Sequence, residues 1–268
     1  MDPRPIGMFD SGFGGLTVAR AVIDLLPDEH VVYFGDTGRY PYGSKPLDDV
    51  RRYASEITRF LVDSHDVKMV VVACNTASAA ALEVLAAETS VPVVGVIEAG
   101  VRSLVEVTTT GRVGVIGTVG AVGSGAYQHA LERADSDVRF VAAACPGFVE
   151  FVERGETDGE QVRVLAERLL APIREADVDA LLLGCTHYPF LARTIGDVMG
   201  RDVVLVSSAD ETAFDIRRRL EDHGSMRRPG DMPARHEFIS SGDITWFEDL
   251  GRRLLGPELA KAAAHRWL

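Results

Sequence analysis

The sequence is short of cysteine, short of bases and without a long apolar run, and each shortage narrows what the protein can be. Its 268 residues hold three cysteines, at 74, 145 and 185. So small and odd a number does not build a disulfide framework, and it fits a reducing compartment. No Cys-x-x-Cys pair is present, which sets aside zinc ribbons and dithiol redox motifs. The cysteines are therefore either packing or chemistry. Lys and Arg number 28 against 40 Asp and Glu, a net charge of −12. Phosphate binding needs a basic face, so nucleic acid is not an expected partner. The arginines at 217, 218, 219, 227 and 228 are interrupted by Glu221 and Asp222 and read as a solvated helix end and loop. No apolar run approaches the roughly 18–20 residues that span a bilayer. MDPRPIGMFD has no basic start followed by an apolar stretch. The expectation is a soluble, cytoplasmic protein with no membrane partner.

What is present is alternation. Apolar runs of strand length, at 6–9, 31–35, 67–73 and 91–96, are separated by helical patterns at 15–26, 47–65 and 76–89. The series then restarts. Strands are expected at 112–118, 138–144, 178–184 and 203–206, and helices at 121–133 and 158–175, with a short helix after CPGF. Strands alternating with helices imply parallel α/β layers. IGMFDS (6–11) lines up with VGVIGT (113–118), and VVVACNT (70–76) with LLLGCTH (181–187). Two α/β units of similar pattern follow, joined near 97–111. In the tail, Ser208 with Glu211 reads as a capping box opening a helix to about 222. Residues 224–236 read as a loop, then a strand and a last helix that could return to the first unit.

In parallel sheets the ligand site lies beyond the carboxyl ends of the strands. Asp10 and Ser11, Asp36, and Cys74, Asn75 and Thr76 hold such places in the first unit. Thr118, Cys145, Glu153, Cys185, Thr186 and His187 hold them in the second. Cys74 and Cys185 are 111 residues apart, at the same point of the same local pattern. Asn75 or Thr76 would cap the helix after the first, and Thr186 the helix after the second. A thiol at a helix start has its thiolate favoured by unpaired N–H groups. A single cysteine of this kind is as readily a small buried hydrophobe; two at equivalent turns are harder to dismiss. Asp10 opens DSGFGGL, whose glycines serve either a tight turn or close approach to an anion. It is not GxGxxG, and no Walker lysine follows. His187 either orients a group near Cys185 or is bonded within its loop. A metal held by Cys185, His187 and a carboxylate would need an unusual Cys-x-His pair.

Two equivalent thiols facing one pocket from opposite sides suit stereoinversion. One removes a proton from carbon and the other returns one to the opposite face. Cysteine titrates near enough to neutrality to hold either role. A cysteine nucleophile for hydrolysis or transfer needs one thiol and leaves the second unexplained. A non-enzymatic binding module is the third reading.

FDSGFGGL, DTGRYPYG, VVACNTAS, CPGFVEFVE and GCTHYPF, with SSGD and Phe247 after them, together resemble the glutamate racemase family, in order over residues 6 to about 250. The resemblance implies two pseudo-symmetric parallel-sheet α/β domains with the active site at their interface. The second domain (98–207) would be inserted in the first (1–97 with 208–268). It implies cofactor-independent and metal-independent interconversion of L- and D-glutamate for bacterial peptidoglycan, by monomers or homodimers. Cys74 would act on the D-isomer and Cys185 on the L-isomer. Asp10 and His187 would assist them, and Glu153 matches a further carboxylate. Ser11, Pro41, Tyr42, Gly43, Asn75, Thr76, Thr118 and Thr186 would hold the substrate. Aspartate racemases share the layout and are the nearest alternative. Two positions depart from the family: Ala121 stands where Thr is common, and Glu150 where Pro is common.

Overall fold

A computed structural model describes residues 1–134, 137–228, 230, 233–259 and 261–267. Short β-branched runs become strands, and stretches with three- and four-residue apolar spacing become helices. β1 (Ile6–Asp10), β2 (Val31–Gly35), β3 (Met69–Val72) and β4 (Val93–Gly95) alternate with α1 (Leu16–Leu25), α2 (Leu47–His65) and α3 (Asn75–Glu88). α4 (Val96–Val107) leads to β5 (Arg112–Gly117), α5 (Val119–Gly123), α6 (Ala126–Arg133) and β6 (Arg139–Ala144). α7 (Phe148–Glu153), α8 (Glu160–Leu169), α9 (Ala171–Glu175), β7 (Ala180–Gly184), α10 (Ala192–Met199) and β8 (Val204–Val206) follow. α11 (Ala209–Asp222), β9 (His236–Ser240), α12 (Ile244–Leu255) and β10 (Ala263–Ala264) complete the order.

Among the described residues these strands form two sheets, of order β10-β9-β2-β1-β3-β4 and β6-β5-β7-β8. Every pairing is parallel. The repeat shows in the strand order, since β2-β1-β3-β4 and β6-β5-β7-β8 run through their units identically. The fold is two pseudo-symmetric parallel α/β layers. All residues of β3 and β7 are buried, as parallel strands covered on both faces require. α11 packs against both α1 and α4 and so ties the tail to both units.

The joint near 97–111 is mostly helix: Ile97, Val101 and Leu104, at helical spacing, are buried in α4. Three local expectations are corrected. The helix expected over 121–133 breaks between α5 and α6, where Gly125 takes φ 74°, a left-handed conformation that glycine adopts without strain. The helix over 158–175 breaks at Leu170, with Pro172 in the first turn of α9. The capping box does not form. Ser208 is the N-cap of α11 but its side chain makes no capping bond, and Glu211 pairs instead with Arg102 at 3.3 Å. The loop expected at 224–236 lies partly outside the described residues, at 229, 231 and 232.

At the end of the first sheet away from the cysteines, Lys68 and Glu29 are both about 1% exposed and meet at 2.5 Å. Lys68 Nζ also donates to the carbonyls of Asp2 and Ser225, at 3.1 and 2.8 Å. Glu29 accepts the Arg227 N–H at 2.8 Å. One buried pair thus fastens the N-terminus, the turn after α1 and the segment after α11. Removing one partner strands the other charge in the interior, which costs about 3–5 kcal/mol. Denaturant unfolding should show that loss for Glu29→Leu, with most of it recovered when Lys68→Met is added. A loss below about 1 kcal/mol for the single change would contradict this role.

Candidate active site

The two sheets present the carboxyl ends of their strands to one another. Cys74 lies two residues past β3 and Cys185 one residue past β7. They are 5% and 6% exposed. Both line one cavity of about 20 Å³, together with Ser11, Tyr40, Pro41, Tyr42, Gly43, Asn75, Thr76, Thr118, Val149, Thr186 and His187. That space admits about one water molecule. In this arrangement the two thiols are largely shut off from solvent.

The seam around the cavity is close. A methyl group on Gly14 would sit 2.4 Å from Thr186 Oγ1 and 2.7 Å from the His187 ring; only glycine lets these loops meet. Phe13 stacks edge-on against His187, ring centroids 4.9 Å apart. Gly120 donates its N–H to the Gly43 carbonyl at 3.0 Å. Thr76 and Thr118 share a hydroxyl hydrogen bond of 2.9 Å. Asn75 Nδ2 donates to the Tyr127 hydroxyl at 3.0 Å, which in turn donates to the Gly184 carbonyl at 3.0 Å. One phenol thus links the residue after Cys74 to the residue before Cys185.

The 36–43 loop is fixed from below. Asp36, fully buried, accepts from Tyr42 and from Arg39. It also accepts from Ser241 at 2.6 Å and from the Trp267 indole at 2.9 Å. The Tyr42 hydroxyl is therefore spent on Asp36, and Tyr42 meets the cavity only beside that anchor. Asp10 lies under the Cys74 turn. Its Oδ2 accepts the N–H groups of Gly12 and Gly15, each at 3.1 Å, while Oδ1 is buried without a partner. It braces the turn that leads into α1, whose N-cap is Gly15, and keeps one oxygen without a partner.

Burial, with the Asp10 charge next, pushes the Cys74 thiol up to about 12. The amides of Ala77 and Ser11 and the Ser11 side chain pull the other way. Burial also raises Cys185; the His187 amide opposes it, and the Cys74 and Asp10 charges add to it. The two thiols are thus within electrostatic reach of each other. His187 Nδ1 lies 3.9 Å from Cys185 Sγ, and its Nε2 is 3.6 Å from Glu153 Oε1. Cys145 is buried, with its thiol near the Ala143 carbonyl at 3.9 Å, and does not line the cavity. Among the described residues no group of three or more His, Cys, Asp or Glu is placed to hold a metal ion.

Most residues singled out from the sequence meet at the cavity wall, with Asp10 and Glu153 one layer behind; Asp36 instead lies beneath the 36–43 loop and Cys145 stands apart from the cavity. The capping expectations differ. Cys74 itself is the N-cap of α3, and His187 that of the 3-10 turn Tyr188–Leu191. Thr118 does cap α5, accepting the Ala121 N–H at 3.1 Å. The Ala121 methyl is buried, and Glu150 is exposed in the first turn of α7, where its charge suits the helix dipole. Sequence reading missed Tyr40, Val149, Gly14 and Tyr127. Tyr40 stands directly before Pro41–Gly43, which was signal enough; Tyr127 lies mid-helix with none.

A family model described as Asp/Glu/Hydantoin racemase matches residues 16–213. A glutamate racemase of Parafrankia sp. is 52% identical over 271 residues, covering 99% of this chain and 98% of that one. A glutamate racemase isoform from Bacillus anthracis has a similar structure, with TM-score 0.92 and 38% identity over 100% of this chain and 98% of that one. The glutamate racemase of Francisella tularensis, solved in complex with D-glutamate, gives TM-score 0.91 and 31% identity over 99% and 98%. The chain belongs to the aspartate/glutamate racemase family and groups within it with the glutamate racemases, which are amino-acid isomerases.

Proposed function

We propose that this protein interconverts L- and D-glutamate by a two-base mechanism and supplies D-glutamate for peptidoglycan in the cytoplasm. The observation that carries the reading is the pair of buried thiols on one small cavity, each at the end of an equivalent strand. Residues 1–97 with 208–268 act as one domain and 98–207 as the other, parting to admit substrate. The Cys185 thiolate takes the α-proton of L-glutamate, and the Cys74 thiol protonates the opposite face of the carbanion. The roles exchange for D-glutamate. Asp10, beside Cys74, and His187, beside Cys185, move protons to and from the thiols, and Glu153 steadies His187. Ser11, Asn75, Thr76, Thr118 and Thr186, with the 41–43 backbone, offer neutral donors to the substrate's carboxylates. The D-glutamate in the Francisella relative supports the substrate class.

Each direction needs both faces, so Cys74→Ala and Cys185→Ala should each lower racemisation at least about a thousandfold, followed by optical activity without added cofactor. Ordinary rates in Cys74→Ala would sink the two-base reading. Burial also sets the resting charge. In the substrate-free protein Cys74 should show no thiolate absorbance between pH 7 and 10, with Cys74→Ser as the blank. A step near the ordinary value of about 8.5 that vanishes in Cys74→Ser would contradict it.

A further inference from the structure

Three buried polar atoms without a hydrogen-bond partner lie together beside Cys185: the Tyr40 hydroxyl, Glu153 Oε1 and His187 Nε2. Buried polar groups are almost always paired, so such a cluster calls for a reason. Glu153 Oε1 and His187 Nε2 are 3.6 Å apart. Tyr40 lies beside both. Its ring centroid is 6.1 Å from that of His187, and its phenol faces the Glu153 carboxylate. The Tyr40 ring is held in place: it leaves only 3.1 Å for a Cβ on Gly12 and lies 6.4 Å, centre to centre, from Trp246. The loop that carries it is anchored through Arg39 to Asp36. Burial, then the hydrogen-bonding approach of the phenol to Glu153 and that carboxylate's charge, raise the phenol far above its ordinary value, so it remains a donor. The carboxylate accepts, and the far side of the imidazole faces the Cys185 thiol at 3.9 Å.

We propose that Tyr40 is a positioning residue for the Cys185 half of the reaction, its hydroxyl donating to Glu153 and holding that carboxylate against His187. A carboxylate fixed there faces Nε2 and orients the imidazole, whose other nitrogen faces the Cys185 thiol. On the Cys74 side, among the described residues, no phenol donates to Asp10; the nearby Tyr33 hydroxyl donates to the Gly12 carbonyl instead, at 3.1 Å. Asp10 is held by the amides of Gly12 and Gly15. The effect of losing the Tyr40 hydroxyl is therefore one-sided. This rests on the two-base reading above.

The kcat/KM of racemisation cannot reveal such a bias, because enantiomers are equal in energy and the two directions must keep equal values. Elimination can, since it needs only one base. From glutamate carrying chlorine on the β-carbon, the base takes the α-proton and chloride leaves the β-carbon, giving an enamine. Tyr40→Phe should lower chloride release from the L-isomer about tenfold to a hundredfold, the weight of a hydrogen bond to a charged group. Release from the D-isomer should stay within about twofold. The L-to-D ratio does not depend on how much of the variant is folded. Adding Tyr40→Phe to Glu153→Gln should cost nothing further, since both act through one contact. An equal fall for both isomers, no change for either, or additive losses would overturn the proposal. In parallel, Cys185→Ala should lose L-isomer release and Cys74→Ala D-isomer release. A failure there removes the two-base reading and this proposal with it, whereas success there with an unselective Tyr40→Phe removes this proposal alone.

Discussion

The structure depends on the closeness with which the Gly14 turn meets Thr186 and His187. A single added methyl group has no room at that point. Because the turns from the two sheets press together here, the thiols they flank are cut off from bulk water, and the cavity between them shrinks to about 20 Å³. Dryness is then what sets the chemistry. In a medium of low effective dielectric, charge on either sulfur is costly, and every nearby dipole counts for more than it would in water.

That cost is answered locally and differently on the two sides. Cys74 faces the amides of Ala77 and Ser11 with the Asp10 carboxylate behind it. Cys185 faces the amides of His187 and Tyr188 and the imidazole of His187, which Glu153 backs. The backbone pattern is repeated between the units, but the side chains that serve the thiols are not. The fold supplies the symmetry that the proposed two-sided proton transfer would need; the side chains around it break that symmetry. Far from the site, the buried Lys68–Glu29 pair holds the opposite end of the first sheet, so strand ends are fixed at both extremities.

Much of this was legible in the sequence for a physical reason. Buried parallel strands read as unbroken apolar runs, and Cys74 and Cys185 stand where those runs stop. The repeated order of strands follows from the restart of the pattern at residue 112. What escaped depended on packing between distant segments. Tyr127 carries no local mark, and its value lies in reaching Asn75 and Gly184 from another helix. The capping box at Ser208 had the right letters, but Arg102 of α4 takes Glu211 away. β10, two alanines long, has no strand signal at all; it pairs because β9 offers an edge.

The most direct test of the two-thiol account is the fate of the α-hydrogen in the first turnovers. L-glutamate would be mixed with the protein in D₂O and both enantiomers analysed for α-deuterium at early time. The account predicts D-glutamate that carries deuterium from its first appearance, while the remaining L-glutamate keeps protium. The proton taken on one face is held by a thiol that cannot reach the other. D-glutamate that appears with its original α-protium would mean that a single group serves both faces, and the facing cysteines would then have to be explained in another way.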